Sequence, residues 1–293
     1  TFFLNPVAKI NIISSKDIWS NSIKQRIYKA SSNNELIKEL TQHRKRIPLS
    51  LGKDVYRKNK NLIKKSTIKK LGKILKDFQE KIFNENITHS KACATAAFRH
   101  AANRHKVLCE LKKYSNINIE VISGKEEIAY IGNIDLSPYE LTENYLIVDV
   151  GGGSTEILVK QNSHTLDMES FSIGTISLSK KNVSRNVWEA MNKWLCQFNF
   201  EGTPILIGIG GGIRGLLGAS NRRLESNNFY QLYENILFTS VNERMSKFII
   251  PRDRARNIHH SAFIYQHILK LTGIKNIRAI PFGLSEGIAF SII

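Results

Sequence analysis

Apolar residues follow two rhythms along this chain, and the two alternate. Residues 7–13 (VAKINII) read as a strand, the polar piece 14–22 (SSKDIWSNS) as a turn, and 23–28 as a resumed strand. From Lys58 to Phe83 the positions Leu62, Ile63, Ile68, Leu71, Ile74, Leu75, Phe78 and Ile82 recur at helical spacing, with lysines on the solvated face. Residues 91–97 (KACATAA) make a short strand or turn that leads into a helix over 99–111. Residues 119–123 (IEVIS) are a strand; Gly124 ends it, and Lys125, Glu126 and Glu127 open a helix running to about Ile131.

The second half repeats the alternation. Residues 146–159 (LIVDVGGGSTEILV) read as two strands around a glycine turn, and 166–176 as a strand ending at a Gly turn. Trp188, Met191, Trp194, Leu195 and Phe198 form the core stripe of a helix, and 205–209 (ILIGI) is a buried strand. That strand runs into Gly210, Gly211 and Gly212, and a helix starts near Ile213 with Arg214 in its first turn. Helices over 231–248 and 252–272, a strand at 277–280 and a helix from 283 to 288 complete the pattern. Strands and helices alternating in two halves predict an α/β chain with a cleft between two lobes.

Composition adds a sign to that cleft. Apolar residues make up 42% of the 293 and aromatic ones 9%, as in folded globular proteins. The net charge of +18 favours polyanionic partners: nucleic acid, inorganic polyphosphate, highly phosphorylated nucleotides or an anionic membrane. Many of the basic residues are lysines in Asn- and Ile-rich surroundings, so compositional bias accounts for part of the excess. Cys93, Cys109 and Cys196 are scattered with no CxxC pair, which argues against a disulfide framework or a structural zinc site. No signal peptide and no membrane-spanning apolar run is visible, so the expected location is cytoplasmic.

The chemistry concentrates where glycines meet acids. Asp149 and Glu156 bracket Gly151, Gly152, Gly153, Ser154 and Thr155. Glycines let backbone N–H groups approach a phosphate closely, while carboxylates hold a divalent cation or its water shell. Read blandly, the stretch is a Gly-rich turn between strands. Asp17, Ser20, Asn21 and Ser22 make a second, less specific loop of this type, since such residues also build ordinary turns. Gly210 to Gly212 stand between strand and helix, the setting in which a helix N-terminus binds phosphate, yet they do not fit GxxxxGK[ST]. Arg99 follows a small-residue turn, where it is either a phosphate clamp or a solvated helix arginine. Of the neighbours Glu126 and Glu127 only one can face a given cleft, and both also suit a helix N-terminus without any further role.

These segments together resemble the exopolyphosphatase / guanosine pentaphosphate phosphohydrolase (Ppx/GppA phosphatase) family. DVGGGSTE at 149–156 is similar to the family signature. ATAAFRHAANR (94–104), EVISGKEEIAYIG (120–132), SIGTISLSK (172–180), IGIGGGIRGLL (207–217) and GLSEG (283–287) follow in family order, and DIWSNSIK (17–24) is similar to the first family loop. The resemblance implies the two-lobed actin-like ATPase (ASKHA, ribonuclease H-like) fold, with an N-terminal lobe over 1–138 and a C-terminal lobe over 139–293, the last helix packing back on the first lobe. It implies removal of the terminal phosphate of inorganic polyphosphate, or of the γ-phosphate of guanosine pentaphosphate, with Mg²⁺ and water. Glu127 matches the proposed catalytic carboxylate, and Asp149 and Glu156 would hold the metal. Amides around Gly151–Ser154 and Gly210–Gly212, with Arg99 and Lys24, would neutralise phosphate oxygens. The partners implied are polyphosphate or guanosine penta- and tetraphosphate, with no specific nucleic acid and no membrane. Family members are often dimers, so a homodimer is the matching expectation.

The chain departs from the family at four places. Trp19 replaces a glycine in the first loop, where a bulky side chain obstructs backbone approach or pushes the loop aside; Lys16 precedes Asp17; Gly212 replaces a threonine; His100 stands where Asp is common. Three function classes therefore stay open: a Mg²⁺-dependent phosphatase, an alarmone- or polyphosphate-binding sensor with little turnover, and a polyanion-binding protein acting by charge alone. The last has no recognised nucleic-acid module in its support.

Overall fold

A computed structural model describes residues 11–31, 36–57, 61–134, 136, 139, 144–162, 164–200, 202–218 and 223–292. Strand β1 (Asn11–Ile18) pairs antiparallel with β2 (Ser22–Ala30), and β3 (Leu36–Glu39) and β4 (Lys45–Pro48) both join β2. Helices α1 (Leu51–Val55) and α2 (Lys65–Asn84) lead to β5 (His89–Ala94), which lies parallel to β1. Helices α3 (Ala96–His100) and α4 (Arg104–Leu111) then lead to β6 (Ile119–Val121) and α5 (Gly124–Gly132). The second half opens on the antiparallel meander β7 (Tyr145–Val150), β8 (Thr155–Gln161) and β9 (His164–Phe171). After α6 (Thr175–Ser179) and α7 (Arg185–Leu195), β10 (Ile205–Ile209) lies parallel to β7 and runs into α8 (Gly210–Leu217). The chain continues through β11 (Arg223–Glu225), α9 (Ser226–Leu237), α10 (Val241–Phe248), α11 (Arg252–Ala255) and α12 (Ile258–Thr272) to β12 (Asn276–Ala279) and α13 (Leu284–Phe290).

The two sheets repeat one plan. The orders β3–β2–β1–β5–β6 and β9–β8–β7–β10–β12 are equivalent, each with an antiparallel hairpin edge followed by parallel strands. This duplicated order is the two-lobed, actin-like α/β fold. β7 (YLIVDV) is buried along its whole length, as expected for a strand with both faces covered. One core lies between the second sheet and α7, α8, α9 and α12, where Leu146, Val148, Ile213, Phe229 and Tyr265 meet. Another packs α2, α3 and α4 through Leu71, Leu75, Phe78, Phe98 and Val107. The α2 stripe Ile68, Leu71, Leu75 and Phe78 follows helical spacing, and its lysines face out.

Two helices cross to the opposite sheet. Ile128 and Ile131 of α5 pack with Ile147 and Leu158 of β7 and β8. Ala289 of α13 packs with Ile13, Tyr28 and Ala30 of β1 and β2, and Leu284 and Ile288 with Cys93 of β5. Side chains of α5 and α13 are thereby brought to the line between the sheets.

Several sequence expectations shift. The polar piece 14–22 is largely strand: Ser14, Ser15, Lys16 and Asp17 are fully buried in β1 between β2 and β5, and the turn is confined to Trp19–Asn21. Partnering inside the sheet outweighs their turn propensity. Lys16 Nζ donates to Ser14 Oγ at 3.2 Å and Ser90 Oγ at 2.8 Å, and burial takes its amine down to about 7. The strand expected over 166–176 stops at Phe171, since Gly174 caps α6. The helix expected over 231–248 breaks before Ser240, whose side chain and Glu243 form a capping box that starts α10. β3, β4 and β11 are short edge strands that no alternation announces. Residues 7–10 of the first expected strand, 58–60 of the first expected helix and the 138 boundary lie outside the described residues. Among the described residues no helix is long and apolar enough to cross a membrane.

Candidate phosphate-binding cleft

The site begins with a cross-strand pair. Asp149 near the end of β7 and Glu156 near the start of β8 are directly opposite in register, so both carboxylates stand on one face. Like charges opposite each other repel, and both residues are 1% exposed. Burial first, then Glu127, raises the Asp149 carboxyl to about 7. Burial also raises Glu156 to about 7, against the pull of Arg99.

Helix α5 brings the third acid. Ser123 caps it by accepting from the Glu126 N–H at 3.1 Å, and Glu126 returns a carboxylate to the Ser123 N–H at 2.7 Å. Glu126 is thereby spent on the cap in solvent, and Glu127 turns inward, 4% exposed. Burial and Glu156 push the Glu127 carboxyl well above its usual range, with Arg99 opposing.

Arg99 is not a solvated arginine, since buried partners engage its guanidinium. Nη1 donates to Glu127 Oε2 at 2.8 Å and to the Ile122 carbonyl at 3.1 Å. Nη2 donates to Ser154 Oγ at 3.0 Å and lies 3.4 Å from Glu156 Oε1. One guanidinium therefore joins α3, α5 and β8. Ser170 Oγ also donates to Glu156, at 3.0 Å. Thr155 Oγ1 donates away from the cleft, to the Ile173 carbonyl at 2.6 Å.

The glycine loop is held from behind. The carbonyls of Gly151 and Gly152 accept from Thr175 and Ile176 at the start of α6, at 3.0 and 2.7 Å. A Cβ on Gly153 would lie 1.7 Å from the Tyr56 hydroxyl, which pairs with His100 Nδ1 at 3.1 Å. Both His100 and Tyr56 thus back the loop rather than face Asp149. Gly153→Ala is expected to cost about 1–3 kcal/mol from this overlap, read as a drop of several degrees in the thermal midpoint. An unchanged midpoint would remove Tyr56 from behind the loop.

Across the cleft, Asp17 Oδ2 accepts from Lys24 Nζ and from Ser285 Oγ of α13, both at 3.2 Å. Burial raises the Asp17 carboxyl, with Lys24 opposing. Trp19 does not displace the first loop, since its backbone N–H donates to the Ser22 carbonyl at 3.0 Å. The indole leans on Cys93, Ile122, Leu284 and Ile288, and the Lys24 amine sits 3.8 Å above the ring centroid. Ser20 and Asn21 are tied to α1: the Ser20 carbonyl accepts from Gly52, and Asn21 Oδ1 accepts from Ser50.

The three later glycines are already helix, not loop, because α8 starts at Gly210. Gly210 has φ +90°, and a Cβ there would lie 2.7 Å from Asp149 Oδ1. A Cβ on Gly211 would meet the Arg254 guanidinium at 2.5 Å, and one on Gly212 the Ser261 hydroxyl at 2.4 Å. Ser261 is 1% exposed, and its hydroxyl has no hydrogen-bond partner among the described residues. It fills the space beside Gly212, where the family threonine would be. Arg214 falls in the second turn of α8, and its Nε donates to the Gly210 carbonyl at 3.1 Å.

Beside these buried acids lies a cavity of about 70 Å³ lined by Trp19, Asn21, Ser22, Lys24, Gly151, Gly152, Thr175, Gly211 and Gly212. Arg46, Asp253, Arg254, Asn257 and Ser261 line it too, and no sequence pattern pointed to them. Both oxygens of Asp149 and Asp17 Oδ1 are buried with no hydrogen-bond partner among the described residues. Buried acceptors left open in this way suit a hard cation, and Mg²⁺ characteristically takes one or two carboxylates with water and phosphate oxygens. No group of three His, Cys, Asp or Glu side chains converges as a metal site among the described residues. Asp149 fits that role better than Glu156, whose oxygens Arg99 and Ser170 already engage.

Comparison with known proteins bears on the same residues. A bifunctional 3-dehydroquinate synthase/phosphatase from Fusobacterium nucleatum is 30% identical over 175 residues, 57% of this chain and 26% of that protein. The chain thus spans about a quarter of the length of that curated relative. The Aquifex aeolicus Ppx/GppA family member superposes with a TM-score of 0.75 at 21% identity, covering 97% of both chains. An exopolyphosphatase from Cytophaga hutchinsonii gives 0.77 at 21% identity, over 96% of this chain and 97% of that one. These two likenesses bear on the fold. The sequence model of the Ppx/GppA phosphatase family matches residues 29–197, which include Arg99, Glu127 and the whole 149–156 loop. With more than half of its length matched, and the same residues folded around one cleft, the chain belongs to the Ppx/GppA phosphatase family.

Proposed function

We propose that the protein is a Mg²⁺-dependent phosphohydrolase that removes the terminal phosphate of inorganic polyphosphate, of guanosine pentaphosphate, or of both, by in-line attack of water. The observation that carries this reading is the meeting of Glu127, Asp149 and Glu156 on one buried wall beside the Gly151–Gly153 loop, with both Asp149 oxygens open. In-line phosphoryl transfer asks a protein mainly for positioning and charge compensation. Mg²⁺ held at Asp149 and Asp17 would supply charge compensation at the phosphate oxygens when bound. Gly152 offers its backbone N–H, the Gly151 N–H being donated to the Ser154 carbonyl at 2.9 Å, and Lys24 offers an ammonium group to the same oxygens. Glu127, fixed in direction by Arg99, orients the water and accepts its proton.

A sensor with little turnover is the second reading, and Trp19 favours it. Its indole lines the cavity and reaches within van der Waals range of the Gly210 position, taking space from a ligand. Phosphate release from polyphosphate and guanosine pentaphosphate, with Mg²⁺ and with a chelator, separates the two. Release that the chelator stops is the expected result. Saturable guanosine nucleotide binding without release would install the sensor instead. Binding that follows only polyanion charge and collapses with salt would overturn both.

A further inference from the structure

A second, strongly basic chamber of about 480 Å³ adjoins the cleft. Arg44, Lys45 and Arg46 around β4, Arg214 of α8 and Arg254 of α11 line it, and Lys24, Arg46 and Arg254 border both spaces. Arg46 is the register partner of Lys24 across β4 and β2. Its guanidinium is ion-paired with Asp253, which comes from the other half of the chain, so this pair closes the junction between cleft and chamber. Both side chains are about one-fifth exposed, at 23% and 19%. Arg46 Nε is buried without a hydrogen-bond partner among the described residues, so Asp253 satisfies only part of this guanidinium. Arg254 lies against Gly211 with no carboxylate in ion-pairing range among the described residues. The other nearby acids are committed: Glu39 pairs with Arg26 and Arg44, and Glu286 with Arg26.

We propose that Arg46 is a substrate-chain residue held in reserve by Asp253, and that Asp253 selects long, densely charged phosphate chains over short ones. The inference rests on the reading of the cleft as a phosphate site. A guanidinium binds a phosphate as well as it binds a carboxylate, so the exchange conserves its hydrogen bonds. A ligand seated on the Gly151–Gly152 backbone shares its cavity with Arg46 and Asp253, and to engage Arg46 it must bring enough charge to displace Asp253. A long chain gains Arg44, Lys45 and Arg214 of the chamber at the same time and outcompetes one carboxylate. A short chain gains only the cations that border the cleft, against an acid that is already seated on one of them.

Asp253→Asn keeps the shape and removes the charge. Its expected effect is a Kd for tripolyphosphate, titrated by calorimetry without divalent cation, lower by roughly fivefold. The Kd for long-chain polyphosphate should change less than about twofold, because that ligand already displaces the acid. Arg46→Gln should weaken tripolyphosphate binding, and the double variant should match Arg46→Gln alone. Should Asp253→Asn melt early, Asp253→Ser serves in the same titration. An unchanged Kd, or additive effects in the double variant, would overturn the inference. Wild type that binds tripolyphosphate and shows these shifts but releases no phosphate overturns the hydrolase reading alone. Wild type that releases phosphate while Asp253→Asn binds as it does overturns this inference alone.

Discussion

Glu127→Gln is expected to lower kcat for phosphate release by about 10²- to 10⁴-fold, with Kd for substrate held within about threefold. Gln keeps the length of the side chain, and its amide oxygen still accepts from Arg99, so the wall stays in place. What disappears is the group that, in the proposed reaction, takes the proton from water. A kcat within tenfold of wild type would remove Glu127 from the reaction. The pH dependence has a sign as well. Asp149 and Glu156 are both raised to about 7, and Asp149 is the one left open to a cation, so the ionised form that would hold the metal builds up as pH climbs through that value, and kcat/KM should rise with it. Stability without divalent cation should move the other way. A carboxyl raised in the folded state holds a proton that the unfolded chain has lost, so its stabilisation is complete below the unfolded value and disappears as pH rises through about 7. Thermal midpoints taken from pH 5 to 7.5 in chelator, and again with Mg²⁺, test this: the contribution of these two groups should fall with pH in the first series and be restored in the second.

The parts of the site that were legible in the sequence are those with a local signature. The glycine loop announces itself because a Cβ is excluded at Gly153, and the glycine that opens α8, Gly210, because its φ is positive. The choice of Glu127 over Glu126 came from the resemblance to the family, and the fold supplies its physical reason, the Ser123 capping box that uses up the first acid. Other parts had no local signal. Arg46, Asp253, Arg254 and Ser261 reach the cleft only because β4, α11 and α12 come together from distant stretches. The strand over Ser14–Asp17 was hidden for a different reason: polar residues at every position erase the alternation that marks a strand, and only the sheet's internal partners explain their burial. Trp19 reads as an obstruction in the sequence. In the fold its cost to the loop is absorbed by an apolar cluster at the foot of α13.

Arg99 was open to two sequence readings, and its contacts turn it into a prediction about stability. Among the described residues it is the cation paired with both Glu127 and Glu156, and its side chain is 17% exposed. Arg99→Met leaves two buried acids without a counter-ion, which typically costs about 3–5 kcal/mol. Above pH 7 this should appear as a drop in the thermal midpoint on the order of 10 °C. At pH 5 the same acids escape by staying protonated, so the loss should shrink. Arg99→Met combined with Glu127→Gln should recover part of it, because one of the two orphaned charges is gone. A phosphate clamp with no structural task predicts something else: an unchanged midpoint at every pH and a raised KM. The midpoint of Arg99→Met at pH 5 and pH 8 therefore decides whether this arginine holds the catalytic wall together or waits for substrate.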